Sequence, residues 1–237
     1  MACCRTESAS DAGYASVAAI TVALAIALIV TAMMARSVMD LRLARADFRK
    51  TQAEYELDGA QLLASLRVLS GVADGRLTWT EILPGGDPVT ILAEPEYNKL
   101  GLQAASALDQ AALGSLGASD PQAAAEGLAR LSPATATPDQ IADLDSGRIW
   151  RLCAASALSP WGQTSTLNLQ PATAPTAQTN LARIGQVWRF VATSKDGWSD
   201  DRIVRLIGQD ERPSAVIWRR LTRRGKGQQI CRISLSR

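Results

Sequence analysis

Histidine is absent from this chain of 237 residues. That removes the side chain most used as a general base near neutral pH and the commonest metal ligand, and with it Ser-His-Asp, Cys-His and His-zinc chemistry. Charge of one sign is scarce too. The 25 Lys and Arg stand against 23 Asp and Glu, a net charge of +2, too small a basic excess for a protein that wraps nucleic acid. The chain has no phosphate-cradling P-loop, no dinucleotide fingerprint and no G-x-S-x-G nucleophile elbow. These absences nominate no catalytic or cofactor-binding residue, and the chain reads as a non-enzymatic protein.

What the chain has is a long apolar run. Between Asp11 and Arg36 there is no charged residue. From Tyr14 to Met34, at about 1.5 Å per helical residue, the segment is about 31 Å long and matches a hydrocarbon core of about 30 Å. It fits a secretory signal poorly: the apolar core is too long, the leader sets one Arg5 against Glu7 and Asp11, and Ala32-Met33-Met34-Ala35 is a poor cleavage site. The reading is a single-pass transmembrane helix.

The helix pattern continues beyond the apolar run. Leu41, Phe48, Tyr55, Leu62 and Leu69 recur every seven residues, with Leu66 on the adjoining line, and Arg42, Arg45, Arg49, Lys50, Glu54, Glu56 and Arg67 fill the remaining surface. Such a stripe needs burial, and the simplest cover is a sheet made by the rest of the chain. Gly71 offers a stop.

Strand signals supply that sheet. Leu77 to Leu83 alternates, Pro84-Gly85-Gly86-Asp87-Pro88 signals a turn, and Val89 to Ala93 follows. Later, Gln186 to Thr193, Arg202 to Ile207, Ala215 to Leu221 and Gln229 to Leu235 are short runs rich in β-branched and aromatic residues. Lys195-Asp196-Gly197 and the stretch Arg223 to Gly227 read as hairpin tips, so an antiparallel C-terminal meander is predicted. Between the strand groups, residues 101 to 147 read as a small helical insertion. Asp120-Pro121 and Thr137-Pro138 each place a capping residue before proline at the first helical position. Pro171 to Asn180 reads as an exposed loop.

A short leader ending at Gly13, the aromatic Tyr14, the apolar run and its amphipathic continuation resemble the type IV pilin-like proteins cut by prepilin peptidase. Most of that family carry glutamate at the fifth mature position, here Ala18. The omission resembles the minor pseudopilin K group of type II secretion, as do "EPEYNKLGLQAASALDQAALGSLGASDPQAAAEGLARL" and "GQVWRFVATSKDGWSDDRIVRLIGQDERPSAVIWRR".

The resemblance implies an α+β pilin-like fold: a leader over residues 1–13, a transmembrane half-stem over 14–35, an amphipathic half-stem over 36–70, and a periplasmic globular domain over 71–237. It implies processing at Gly13 and Tyr14, with methylation of the new amine, and assembly through Ala18, Leu41, Phe48 and Tyr55. The partners it implies are other minor and major pseudopilins, prepilin peptidase, the inner-membrane secretion platform and the exported substrate. The location is the bacterial inner membrane, with a single pass. Physical logic supports the missing glutamate. A carboxylate in the bilayer is costly unless paired, and a subunit with no neighbour above it has no amine to pair with.

Charge alone reads differently: the N-terminal flank sums to −1 from Arg5, Glu7 and Asp11, the C-terminal flank is rich in arginine, and the positive-inside rule then puts the C-terminus inside. Cleavage would discard Cys3 and Cys4 and leave Cys153 and Cys231, either bridged in an oxidising periplasm or present as two buried thiols. Retained, Cys3 and Cys4 would be juxtamembrane acylation candidates. Asp196, Asp200 and Asp201 supply oxygens suited to calcium, although turn chemistry explains them as well. Two rival readings share the stem: a minor pilin of a type IV pilus, and a single-pass anchored enzyme or ligand-binding domain.

Overall fold

The computed structural model describes residues 9–71, 75–83, 86–165, 182–209 and 211–223. The chain divides into two compact units, Met1–Gln52 and Ala53–Arg237. Helix α1, Ala9–Ser70, is 62 residues long and supplies the described part of the first unit. It is long and apolar enough to cross a membrane by length and composition, and Gly13 and Tyr14 lie within it.

The second unit is a mixed α and β structure built on a five-stranded antiparallel sheet of order β1-β2-β5-β6-β7. β1 is Leu77–Ile82, β2 Pro88–Pro95, β5 Val187–Ser194, β6 Trp198–Leu206 and β7 Ser214–Arg223. The predicted runs at Leu77, Val89, Gln186 and Ala215 agree with these strands to within a few residues. β6 begins four positions before Arg202, because Trp198 to Asp201 pair with β5 through a short turn at Gly197, whose φ of 83° suits glycine. The run Gln229 to Leu235 and the loop Pro171 to Asn180 lie outside the described residues.

The C-terminal end of α1 packs on one face of the sheet. Leu57, Ala60, Ala64 and Val68 share a core with Val89, Ile91, Ala93, Trp188, Phe190, Ala192, Val204 and Leu206. This corrects the predicted stripe. Leu41, Phe48, Tyr55 and Leu62 are exposed, at 55%, 70%, 75% and 46%; Leu69 of the stripe does pack against this core, but most of what the sheet covers is a line of smaller residues. The reason is shape: Trp188, Phe190 and Ile91 already fill the sheet face, and Ala60 and Ala64 let the helix backbone approach them. A line of Phe, Tyr and Leu would hold it off.

Between β2 and β5 lies the helical insertion. It runs through the 3-10 turn η1 (Glu96–Asn98), β3 (Leu100–Gly101), α2 (Leu102–Ala105), α3 (Gln110–Ser115), α4 (Pro121–Arg130), α5 (Pro138–Ala142), α6 (Arg148–Ala157) and β4 (Leu158–Ser159), with β3 and β4 paired in parallel. The helices therefore continue ten residues past the predicted end at 147, and α6 supplies Trp150, fully buried in a second core with Leu113, Leu128 and Ile141. Asp120 caps α4 by accepting from the Ala123 amide, and Thr137 and Gln140 form a capping box on α5, each with proline in the first turn.

Candidate functional site

The apolar surface of α1 is the first candidate. All described residues from 16 to 52 are exposed in the isolated chain, among them Ala18, Val22, Leu28 and Met34. The hydroxyls within this span are satisfied locally: Thr21 Oγ1 donates to the Ala18 carbonyl at 2.8 Å, and Thr31 Oγ1 lies 2.9 Å from the carbonyls of Ala27 and Leu28. A hydroxyl bonded to its own helix carries little cost in hydrocarbon. Further along the helix, Tyr55 and Leu62 belong to the globular unit yet turn away from its sheet. At about 100° per residue, Tyr55 stands roughly 200° from Leu57. These side chains present large apolar area that the fold itself leaves uncovered.

The second candidate is charge buried on both faces of the sheet. Successive strand residues point to opposite faces, so Asp200 and Asp201 part company. On the α1 face, Asp200 is paired with Arg202 and with Arg219 at 3.1 Å, and Asp58 of α1 meets the same two arginines. Burial raises the Asp200 carboxyl above its ordinary range against the pull of Arg219, and burial together with Arg219 lowers Arg202 to about 10. Gln61 of α1 reaches the same region, donating to the backbone carbonyls of Asp200 at 2.9 Å and Phe190 at 3.3 Å.

On the opposite face, Arg189 grips Asp201 with two bonds of 2.8 and 2.7 Å, and Lys99 bridges Glu96 at 2.5 Å and Glu94 at 2.9 Å. Burial works to raise the Asp201 and Glu94 carboxyls, but Arg189 beside the first, and Lys99 and Arg189 beside the second, hold both below the usual range. Asp139 of α5 then joins the insertion to β7. It accepts from Trp218 Nε1 at 2.9 Å and from Arg220 at 3.1 Å. These networks fix the packing of helix and insertion on the sheet, each carboxylate in them paired with an arginine or lysine.

The expectation of calcium near Asp196, Asp200 and Asp201 meets this geometry directly. Asp196 is exposed at a turn, while the other two face opposite ways and are already bound to arginines. The three do not fit one cation. Among the described residues no group of three or more potential metal-ligating side chains comes together. Cys153 on α6 is 2% exposed and disulfide-bonded. Cys3, Cys4 and Cys231 lie outside the described residues.

One open cavity, of about 680 Å³, is lined by Tyr97, Trp161, Gln163, Arg183, Gln186 and Arg205 among others. Sequence reasoning passed over it because its polar lining comes from segments far apart in the chain. No protein-family model matches the chain, and no curated protein or solved structure matches it.

Proposed function

We propose that the protein is a membrane-inserted, non-enzymatic minor pseudopilin with a pilin-like fold. It acts as a tip or initiation subunit of a type II secretion pseudopilus and supports export across the outer membrane. In this reading prepilin peptidase cuts between Gly13 and Tyr14, α1 is stored in the inner membrane, and its exposed residues then pack against the stems of other major and minor pseudopilins. Ala18 sets the subunit at the tip, where no neighbouring amine would neutralise a carboxylate. The globular unit meets the exported substrate, and the secretion platform of the inner membrane receives the stem.

The observation that carries the reading is the orientation of Tyr55 and Leu62, apolar yet exposed on the part of α1 that packs against the sheet. A simple anchor needs no such surface above the bilayer; an assembly stem does. The disulfide at Cys153 supports a periplasmic placement of the globular unit, because disulfides persist in oxidising compartments. That outweighs the charge of the helix flanks. A photo-cross-linking residue placed at Phe48 or at Leu57 in the secreting host tests it. Products with other pseudopilins from position 48 and none from position 57 support assembly. No product from position 48 contradicts it.

A minor pilin of a type IV pilus shares every one of these features and differs in the partners captured. The anchored ligand-binding reading draws on a separate observation, the 680 Å³ cavity with Arg183 and Arg205 at its wall, and predicts that any apolar span replaces α1 without loss.

A further inference from the structure

The cavity of about 680 Å³ falls in the size range of small-ligand sites. Val187 of β5 and Arg205 of β6 line it from the sheet, opposite each other in register and on the face that carries Arg189 and Asp201. Tyr97 of η1 and Trp161 line it from the insertion, and the turn from Arg183 to Gln186 lines it where the chain enters β5. Each part is held by its own bonds. The Gln163 amide donates to the Tyr97 carbonyl at 3.0 Å and ties the loop after β4 to η1. The turn is closed by the Gln186 amide on the Arg183 carbonyl at 3.1 Å and by the Arg183 amide on Gln186 Oε1 at 2.9 Å. Gly185, at a φ of 91°, sets its amide on the Leu206 carbonyl at 2.8 Å and pins the turn to the end of β6. The lining therefore stands formed before a ligand arrives, which lowers the cost of binding one.

Its charge has one sign. No aspartate or glutamate lines the cavity, and no ion pair joins Arg183 or Arg205 to another described residue. The carboxylate of Asp201, on the same face, is already gripped by Arg189. Two cations on a concave wall attract an anion. The backbone narrows which anion: the amides of Trp161, Gly162, Gln163, Arg183, Gly185 and Gln186 all donate within the protein, so these turns hold no cradle of free N–H groups for a phosphate. What they leave is guanidinium, which takes a carboxylate through two parallel bonds, and the rings of Tyr97 and Trp161, which offer apolar area beside it.

We propose that this cavity binds a carboxylate carried on an aromatic group, with Arg183 and Arg205 taking the carboxylate and Tyr97 and Trp161 the ring. The ligand is a free aromatic acid or the C-terminal end of a peptide, which share that chemistry. This stands whether α1 assembles with other stems or only anchors the chain.

The test titrates N-acetylphenylalanine into the full chain in detergent by calorimetry, with the neutral N-acetylphenylalaninamide, acetate and inorganic phosphate as comparison probes. The acid is expected to bind in the millimolar range or tighter, and the other three at least about tenfold more weakly. Arg183 and Arg205 are exposed, so Arg183→Gln and Arg205→Gln should keep the unfolding midpoint while weakening the acid at least about tenfold. Trp161→Ala should bring its affinity down toward that of acetate. A tetrapeptide ending in phenylalanine separates the two sources: tighter binding than the single residue identifies a chain end, and equal or weaker binding a free acid. No binding of the acid, equal binding of acid and amide, phosphate binding as tight as the acid, or an affinity unmoved by both arginine variants would each overturn the proposal.

Discussion

Tyr55 and Leu57 stand two positions apart on α1 and face opposite ways: Tyr55 is 75% exposed, and Leu57 is fully buried against the sheet. In the proposed function, that pair separates folding from assembly. Replacing Leu57 by Ala should cost about 2–5 kcal/mol of stability through lost burial and the cavity left behind. Tyr55→Ala should cost within about 0.5 kcal/mol. Denaturant unfolding of the full chain in detergent measures both, and, in the proposed assembly, cross-linking to neighbouring stems should fall in the Tyr55 variant at unchanged stability.

Ala60 lies fully buried in the core where α1 meets the sheet. Ala60→Leu adds volume to a packed site and should destabilise by about 1–3 kcal/mol, although it makes the helix more apolar. Ala53, 6% exposed and outside that core cluster, should tolerate the same change better. Comparing the two midpoints at constant denaturant slope checks this.

Asp145 ties the insertion together by accepting from the amides of Ser119, Asp120 and Gly147 at 3.0, 2.8 and 2.6 Å. Burial works to raise its carboxyl, but those donors and the Ser119 hydroxyl hold it down at about 2, from an ordinary 3.8. A depressed carboxyl contributes stability that is fully present above the unfolded value and lost as pH falls through the folded one. The contribution of Asp145 should therefore disappear between pH 3.8 and 2. Asp145→Asn should be less stable at neutral pH and show a smaller loss over that window, read by the fluorescence of the buried Trp150.

Ala18 is exposed on the span of α1. In the proposed tip position Ala18→Glu should leave membrane insertion intact and impair secretion, because the new carboxylate would have no amine partner there. Fractionation and a secretion assay together check it; unchanged secretion would argue against a tip position.

Much of this was legible in the residues, for identifiable reasons. Asp120-Pro121 and Thr137-Pro138 announced two helix starts because capping chemistry is local. The runs of β5 and β7 alternate or carry β-branched and aromatic residues, and pairing follows from hairpin turns. The covered face of α1 was not legible. Periodicity shows that Leu41, Phe48 and Tyr55 share a line, not which body covers it, and Ala60 and Ala64 give almost no hydrophobic signal although they set the approach of helix to sheet. Helix α6 was missed because Gly147 precedes it with no side-chain cap. The buried ion pairs were hidden as well: Arg189, Asp200, Asp201 and Arg202 look like solvent-facing residues until helices cover both faces of the sheet.

In the proposed function α1 begins, in the working protein, at Tyr14 and serves assembly. The most direct measurement is the intact mass and N-terminal sequence of the protein recovered from the membranes of its native host. A chain that starts at Tyr14 with a methylated amine is expected. A chain that keeps residues 1–13 would contradict it and leave α1 as a membrane anchor alone.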